Sequence, residues 1–322
     1  MSCHLLNQLG SVENINKHIL KSKRITLYKV VNDVCFEMDT QDLLTSYSPH
    51  VDSEQSNLSG NVTTNLTPSA NEDFAELQEQ VMANFQKPNV PNVNVPERII
   101  LCLDVCYDNH NSLYRLGDGT TFTPINMMKR VLDFFLHSKN AINRKTEFAI
   151  VVLKGTEPCW VQNFTNNLKD IIDAIDYINP EECTSETFDF KKLFQLLRQK
   201  VEIPEYKDGE RIMPPSHVVR MIVIYGRSQC IPTIPQDDAY FNFLKKQLYF
   251  YIDILLAHEE DCSLYKCEEI YDALQDLDNG YSYVYEVSRN ATKIHDCIAK
   301  LLAHPLQRPL QKNTDYTFGT KY

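Results

Sequence analysis

The run at 98–108, RIILCLDVCYD, carries an acid in a position where chemistry is often placed. Ile99, Ile100, Leu101 and Leu103 precede Asp104 and Val105 follows it, so the segment is apolar on both faces. Such a run suits a central strand of a parallel sheet covered by helices on each side. An acid at the carboxyl end of that strand lies where open α/β sheets bind ligands. Cys106 stands at the same strand end and is a candidate nucleophile, a role that requires a histidine base within reach. His110 is near in sequence, on the flexible-looking loop DNHNSLYRLGDGTTF; His217 precedes a later strand and is expected at the opposite end of the sheet. Neither makes a persuasive partner, so cysteine hydrolase chemistry is the weakest of the readings.

The other reactive residues read as structure. Ten cysteines are spread along the chain without a Cys-x-x-Cys pair. Four-ligand zinc spacings are missing, so these are expected to be buried thiols acting as small hydrophobes. Gly117-Asp118-Gly119 lacks the lysine of a phosphate cradle and reads as a turn. Trp160 beside a strand suits core or interface. Lys191 and Lys192 read as a solvated face, and 258–261 as an acidic surface loop.

The elements that must position Asp104 follow a regular alternation from Pro96 onward. Strands are expected at 98–105, 147–153, 219–225, 248–257 and 281–287, with 159–164 folding back on the second as a hairpin. Helices are expected at 124–142, 167–178, 188–201, 237–247, 263–277 and 290–303. Thr123-Pro124 supplies a capping hydroxyl and a first-turn proline. Leu168, Ile171, Ile172, Ile175 and Ile178 form an apolar stripe at helical spacing. Strands alternating with helices predict an α/β fold: a doubly wound, mostly parallel sheet with helices on both faces.

Three parts are expected. Residues 1–95 include the polar stretch SYSPHVDSEQSNLSGNVTTNLTPSANED and read as weakly ordered or disordered, because they bury too little apolar surface to offset ordering entropy. Residues 96–303 form the α/β domain, and 304–322 an extended tail. The formal net charge of −11 argues against general binding to nucleic-acid phosphates. No run approaches the roughly 18 apolar residues that span a bilayer, and the first residues lack a signal-peptide pattern. The expected location is cytoplasmic and nuclear.

The order of elements, the acid-ended first strand and the hairpin after the second strand resemble a von Willebrand factor A domain. PERIILCLD at 96–104, PPSHVVRMIVIYGRSQC at 214–230 and KLLAHPLQRP at 300–309 narrow the match. They closely resemble the A-domain scaffold family, often called the MERIT subunit, of the BRISC deubiquitinase and of its nuclear sibling that serves the breast-cancer-susceptibility protein. The resemblance covers roughly 96–310. It implies a noncatalytic scaffold without cofactors. The assembly around it would hold a metalloprotease subunit, with that subunit's own scaffold partner, cleaving lysine-sixty-three-linked polyubiquitin. The direct contact would be the ubiquitin-E2-variant-like subunit known as BRE. The family's Pro-x-x-Arg partner segment lands on Pro305, Leu306, Gln307 and Arg308, with Pro309 following. A proline-pinned peptide loses little entropy on docking, and a guanidinium can make two bonds to one acceptor. The competing reading is that Pro305 merely ends the last helix and Arg308 is solvated.

A working A-domain metal site takes oxygen ligands from three loops, as magnesium requires. Against that pattern, loop one keeps Asp104 but has Cys106 and Asp108 where serines belong, and a thiol is a poor magnesium ligand. Loop two offers Thr184 or Thr187. Loop three reads Tyr225-Gly226-Arg227, without an acid and with an arginine that could pair with Asp104. No metal is expected. The alternative reading is an autonomous A-domain receptor that binds a carboxylate ligand through a divalent ion held by Asp104, Asp108 and Thr187.

Overall fold

In the computed structural model, which describes residues 92–107, 112–204, 214–259 and 266–314, the run around Asp104 is strand β1 (Glu97–Asp104). It lies inside a six-stranded sheet, between β5 (Glu147–Lys154) and β9 (Val218–Tyr225), and is parallel to both. β11 (Phe250–Ala257) and β12 (Val284–Val287) extend the sheet in parallel beyond β9. β6 (Glu157–Thr165) closes the other edge antiparallel to β5, giving the order β12-β11-β9-β1-β5-β6. All described residues fall within one unit, Ser69–Tyr322.

Among the described residues, six helices cover the sheet. α1 (Pro124–Ile142) has the expected bounds, with the Thr123 hydroxyl accepting the Asn126 N–H. α1, α2 (Leu168–Asp176) and α6 (Ala291–Lys300) pack on one face, against Ile99, Leu101 and Leu103. α3 (Phe190–Lys200), α4 (Ala239–Lys246) and α5 (Cys267–Gln275) pack on the other, against Ile100 and Cys102. The strict alternation along β1 therefore feeds two cores, as the two-sided apolar run requires.

Several expectations are corrected. The loop after β1 holds a hairpin, β3 (Tyr114–Arg115) with β4 (Thr121–Phe122), and Tyr114 is buried. Its tip is the expected turn: the Gly119 N–H donates to the Leu116 carbonyl at 3.0 Å, with φ +86° at Gly119. The third helix begins at Phe190 rather than 188, because 187–189 pair as a strand, β8 (Thr187–Asp189), with β10 (Ile231–Thr233). A second short ladder joins β2 (Cys106–Tyr107) to β7 (Glu181–Glu182). Residues 304–314 are not an extended tail. The Gln307 and Arg308 N–H groups donate back to the His304 carbonyl at 2.9 and 3.0 Å, and a 3-10 turn, Gln311–Asn313, follows. The calls on 1–91 lie outside the described residues.

Candidate functional site

The chain leaves β1 for β5 on one side and returns to β9 on the other, so the sheet's topological switch point lies at the carboxyl end of β1, where doubly wound sheets open a crevice. Asp104 is at that point. The chain beyond β9 folds over it: the Gly226 and Arg227 amides donate to Asp104 Oδ2 at 3.0 and 3.1 Å. Oδ1 accepts the Cys106 amide at 3.1 Å and Arg227 Nε at 2.9 Å. The two side chains are fully buried. Arg227 Nη1 donates to the Gly155 carbonyl at 2.6 Å, and Nη2 to Leu153 and Lys154 at 3.0 and 3.4 Å. The guanidinium also lies 4.8 Å from the centre of the Phe188 ring. Burial pushes the Asp104 carboxyl up, while Arg227 and the amides of Gly226 and Cys106 oppose it. Burial works most strongly against the Arg227 charge, but Asp104 together with Tyr225 and Cys106 outweighs it and holds the guanidinium protonated. With four N–H donors on its two oxygens, Asp104 is satisfied as an ion.

A second acid–arginine pair flanks the first, and sequence reasoning missed it. Glu259 follows β11 and is buried, as is Arg289 after β12. Arg289 Nε donates to Glu259 Oε1 at 2.9 Å and Nη1 to the Ala257 carbonyl at 2.7 Å. Ser112 binds the same carboxylate through its amide and hydroxyl. The acidic-surface reading of 258–261 is thus wrong for His258 and Glu259; Glu260 and Asp261 lie outside the described residues. The available signal was the same as for Asp104, a charged residue directly after a strand buried on both faces. Between the pairs and α1 opens a cleft of about 360 Å³, whose lining includes Val105, Leu113, Ile125, Met128 and Ile294 over a floor of Asp104 and Arg289. A shallower depression of about 390 Å³ at Lys191 and 234–239 lies away from these groups.

The expected metal ligands do not converge. Thr184 and Thr187 are exposed, and neither is among the partners of Asp104; the Thr187 carbonyl accepts from Ser185 Oγ at 2.7 Å. Asp108 lies outside the described residues. The position a cation would take against Asp104 is filled by Arg227, and Cys106 presents sulfur. This donor set does not fit a hard divalent ion. Among the described residues, no group of three metal-ligating side chains forms. Cys106 does not meet His217, which precedes β9 at the amino end of the sheet and is bonded to Ser216, while Cys106 is at the carboxyl end. His110 lies outside the described residues.

The candidate partner segment packs on the far end of the sheet. Pro305 is buried, Leu306 and Gln307 are half-buried, and Pro309 is exposed. Arg308 is committed internally. Its guanidinium grips Asp253 at 2.9 and 2.6 Å, donates to the Tyr281 carbonyl at 3.0 Å and lies 3.9 Å from the centre of the Tyr283 ring. Asp253 also binds Arg220 Nε at 2.6 Å, and Arg220 reaches Glu97, which pairs with Lys139. This buried network was not anticipated. Its signal lay in Arg220 and Asp253, each interrupting an otherwise apolar strand.

No family model matches the chain. The chain is 34% identical over 236 residues to "BRISC and BRCA1-A complex member 1" of Xenopus laevis, covering 70% of this chain and 69% of that protein. The protein of the same name in Homo sapiens is 31% identical over 236 residues with the same coverage. Among solved structures, the SpRpn10 VWA domain covers 67% of this chain and 99% of its own, at 13% identity and a TM-score of 0.41. Relatives above 30% identity, matched over more than two thirds of their length, place the sequence: this chain belongs to the family of BRISC and BRCA1-A complex member 1.

Proposed function

We propose that this chain is a noncatalytic scaffold subunit of a lysine-sixty-three-specific deubiquitinase assembly, binding that assembly's E2-variant-like BRE subunit. The observation that carries the reading is membership of a family whose curated relatives are named as complex members. The site chemistry agrees with it. Asp104 and Glu259 are each neutralised by an arginine of the same chain. The metalloprotease and its own scaffold partner would join within the same assembly, in cytoplasm and nucleus. No described helix is long and apolar enough to cross a membrane.

In this reading the segment at 305–309 docks as a preformed surface rather than a free peptide. Arg308 anchors it from beneath, Leu306 packs against the cluster of Val218, Leu248, Tyr249 and Tyr251, and Pro309 is exposed. That division decides the experiment. Arg308→Ala and Leu306→Asp would disturb the fold and say nothing about contact, so the informative variants are Gln307→Ala and Pro309→Ala, tested by co-purification with the BRE subunit. Capture by the intact chain that falls in these variants at unchanged melting temperature supports both the scaffold and the segment. Capture at full strength moves the contact elsewhere on the domain, and no capture by the intact chain defeats the scaffold reading.

A further inference from the structure

Cys183 lies between β7 and β8, and the two short ladders deliver two further thiols to it. The β2–β7 register sets Cys106 opposite Glu181, two residues before Cys183. On the other side, the Ile231 N–H donates to the Glu186 carbonyl at 2.9 Å, which brings Cys230 in. Cys183 packs against the cluster that holds Cys230, and its thiol interacts with those of Cys106 and Cys230 while donating to the Ser185 carbonyl at 3.4 Å. Cys106 and Cys230 are buried and Cys183 is half-buried, so the central sulfur is the one that solvent reaches. Arg227 Nη1 is 3.7 Å from Cys230 Sγ, and its charge acts on all three sulfurs. A neighbouring cation and S–H donors favour thiolate over thiol, and the thiolate is the reactive form. The neighbouring thiols pull the Cys183 pKa down, while Cys183 and burial push those of Cys106 and Cys230 up. One half-exposed sulfur is thus prepared for attack, with two buried thiols held in reserve.

The geometry points to a peroxide-responsive thiol relay in which Cys183 is the oxidised residue and Cys230 or Cys106 the resolving one. The Cys183 thiolate attacks one oxygen of hydrogen peroxide. The O–O bond breaks, hydroxide leaves and is protonated to water, and Cys183 becomes a sulfenic acid. Sulfur loses two electrons and peroxide gains them. The sulfur of Cys230 or Cys106 then attacks Cys183. An S–S bond forms, the S–O bond breaks, and water departs with the hydroxyl and the thiol proton. A dithiol reductant reverses the step by exchange. The bond would tie the two short ladders together beside the Asp104–Arg227 pair. The three thiols do not gather as a metal-ligating group, and the Arg227 charge opposes a soft cation.

The full chain, reduced and freed of reductant, would be treated with a few equivalents of hydrogen peroxide, alkylated and mapped by peptide mass spectrometry. The expected product joins Cys183 to Cys230 or Cys106, is reversed by dithiothreitol, is lost in Cys183→Ser and persists in Cys159→Ser. In the Cys106→Ser, Cys230→Ser double variant, dimedone should capture Cys183 as the sulfenic acid. Before oxidation, iodoacetamide at pH 7 should modify Cys183 about tenfold faster than the exposed Cys159 in the unaltered chain, a comparison that needs no variant to fold. Equal rates at the two cysteines, or peroxide-treated protein in which Cys183 remains unpaired, would overturn the relay.

Discussion

Arg227 does with a side chain what a bound cation does in a working A-domain site. It neutralises Asp104 at the end of β1 and, through the carbonyls of Leu153, Lys154 and Gly155, ties that end to the end of β5. Removing one member of a buried pair leaves the other charge uncompensated, at about 3–5 kcal/mol. Arg227→Met should therefore lower stability by that amount in urea unfolding, and the double variant Asp104→Leu, Arg227→Met should regain much of it. Equal destabilisation in both would mean that packing rather than charge dominates. A second residue-scale prediction concerns His304. Its Nε2–H donates to the Val95 carbonyl at 3.0 Å and its Nδ1 accepts the Leu306 N–H at 3.1 Å, so the neutral ring is fully used. Burial, with Lys139 and Arg220 nearby and Glu97 opposing them, pushes its pKa down to about 4 from 6.5. A depressed pKa means that the unfolded chain takes up the proton first. Its contribution is whole above about pH 6.5 and is lost as pH falls toward 4. At about 1.4 kcal/mol per pH unit this is on the order of 3 kcal/mol. Urea unfolding at pH 7 and pH 4 should show His304→Asn losing less than the unaltered chain over that interval; parallel losses would count against the assignment.

Local signals made the long elements legible. α1 shows its start in Thr123-Pro124 and its buried face in Met127, Met128, Val131, Leu132 and Phe135. α4 is weaker in sequence, yet Asp238 accepts both the Tyr240 and Phe241 amides at 2.9 Å. Asp238→Ala should cost about 1 kcal/mol in thermal or urea unfolding; no change would show the helix to be held by Phe241 and Leu244 alone. The strands of two or three residues left no trace, because so short a run has no periodicity to read. The segment after α6 was misjudged for a different reason. Pro305 and Pro309 suggested an extended peptide, but the buried carboxylate of Asp253, 55 residues earlier, draws Arg308 inward. Arg308→Ala should lower stability by about 3–5 kcal/mol and expose 304–314 to limited proteolysis. Unaltered protease resistance would show that Tyr283 and Pro305 suffice to hold it.

At the scale of the whole molecule, the sheet divides charge between its two ends. The carboxyl end holds the Asp104–Arg227 and Glu259–Arg289 pairs beside an apolar cleft, and the amino end holds the network of Glu97, Lys139, Arg220, Asp253 and Arg308. With the crevice acids already paired, magnesium or calcium at millimolar concentration should leave the melting temperature unchanged, since only a ligand bound preferentially by the folded state raises it. A clear, saturable rise would restore the receptor reading.

Sequence by itself determined the layered α/β architecture and the place of Asp104, because both follow from local periodicity and from which faces of a strand are apolar. The likeness to an A domain, whose third metal loop falls on Tyr225-Gly226-Arg227, put Arg227 within reach of Asp104. Only the tertiary structure decided that Glu259 and Arg289 form a second pair, that Cys183 lies between Cys106 and Cys230, and that Arg308 turns inward. Those outcomes depend on which distant segments meet. A buried charge or thiol takes its partner from whatever the fold brings alongside, and spacing along the chain does not encode that meeting.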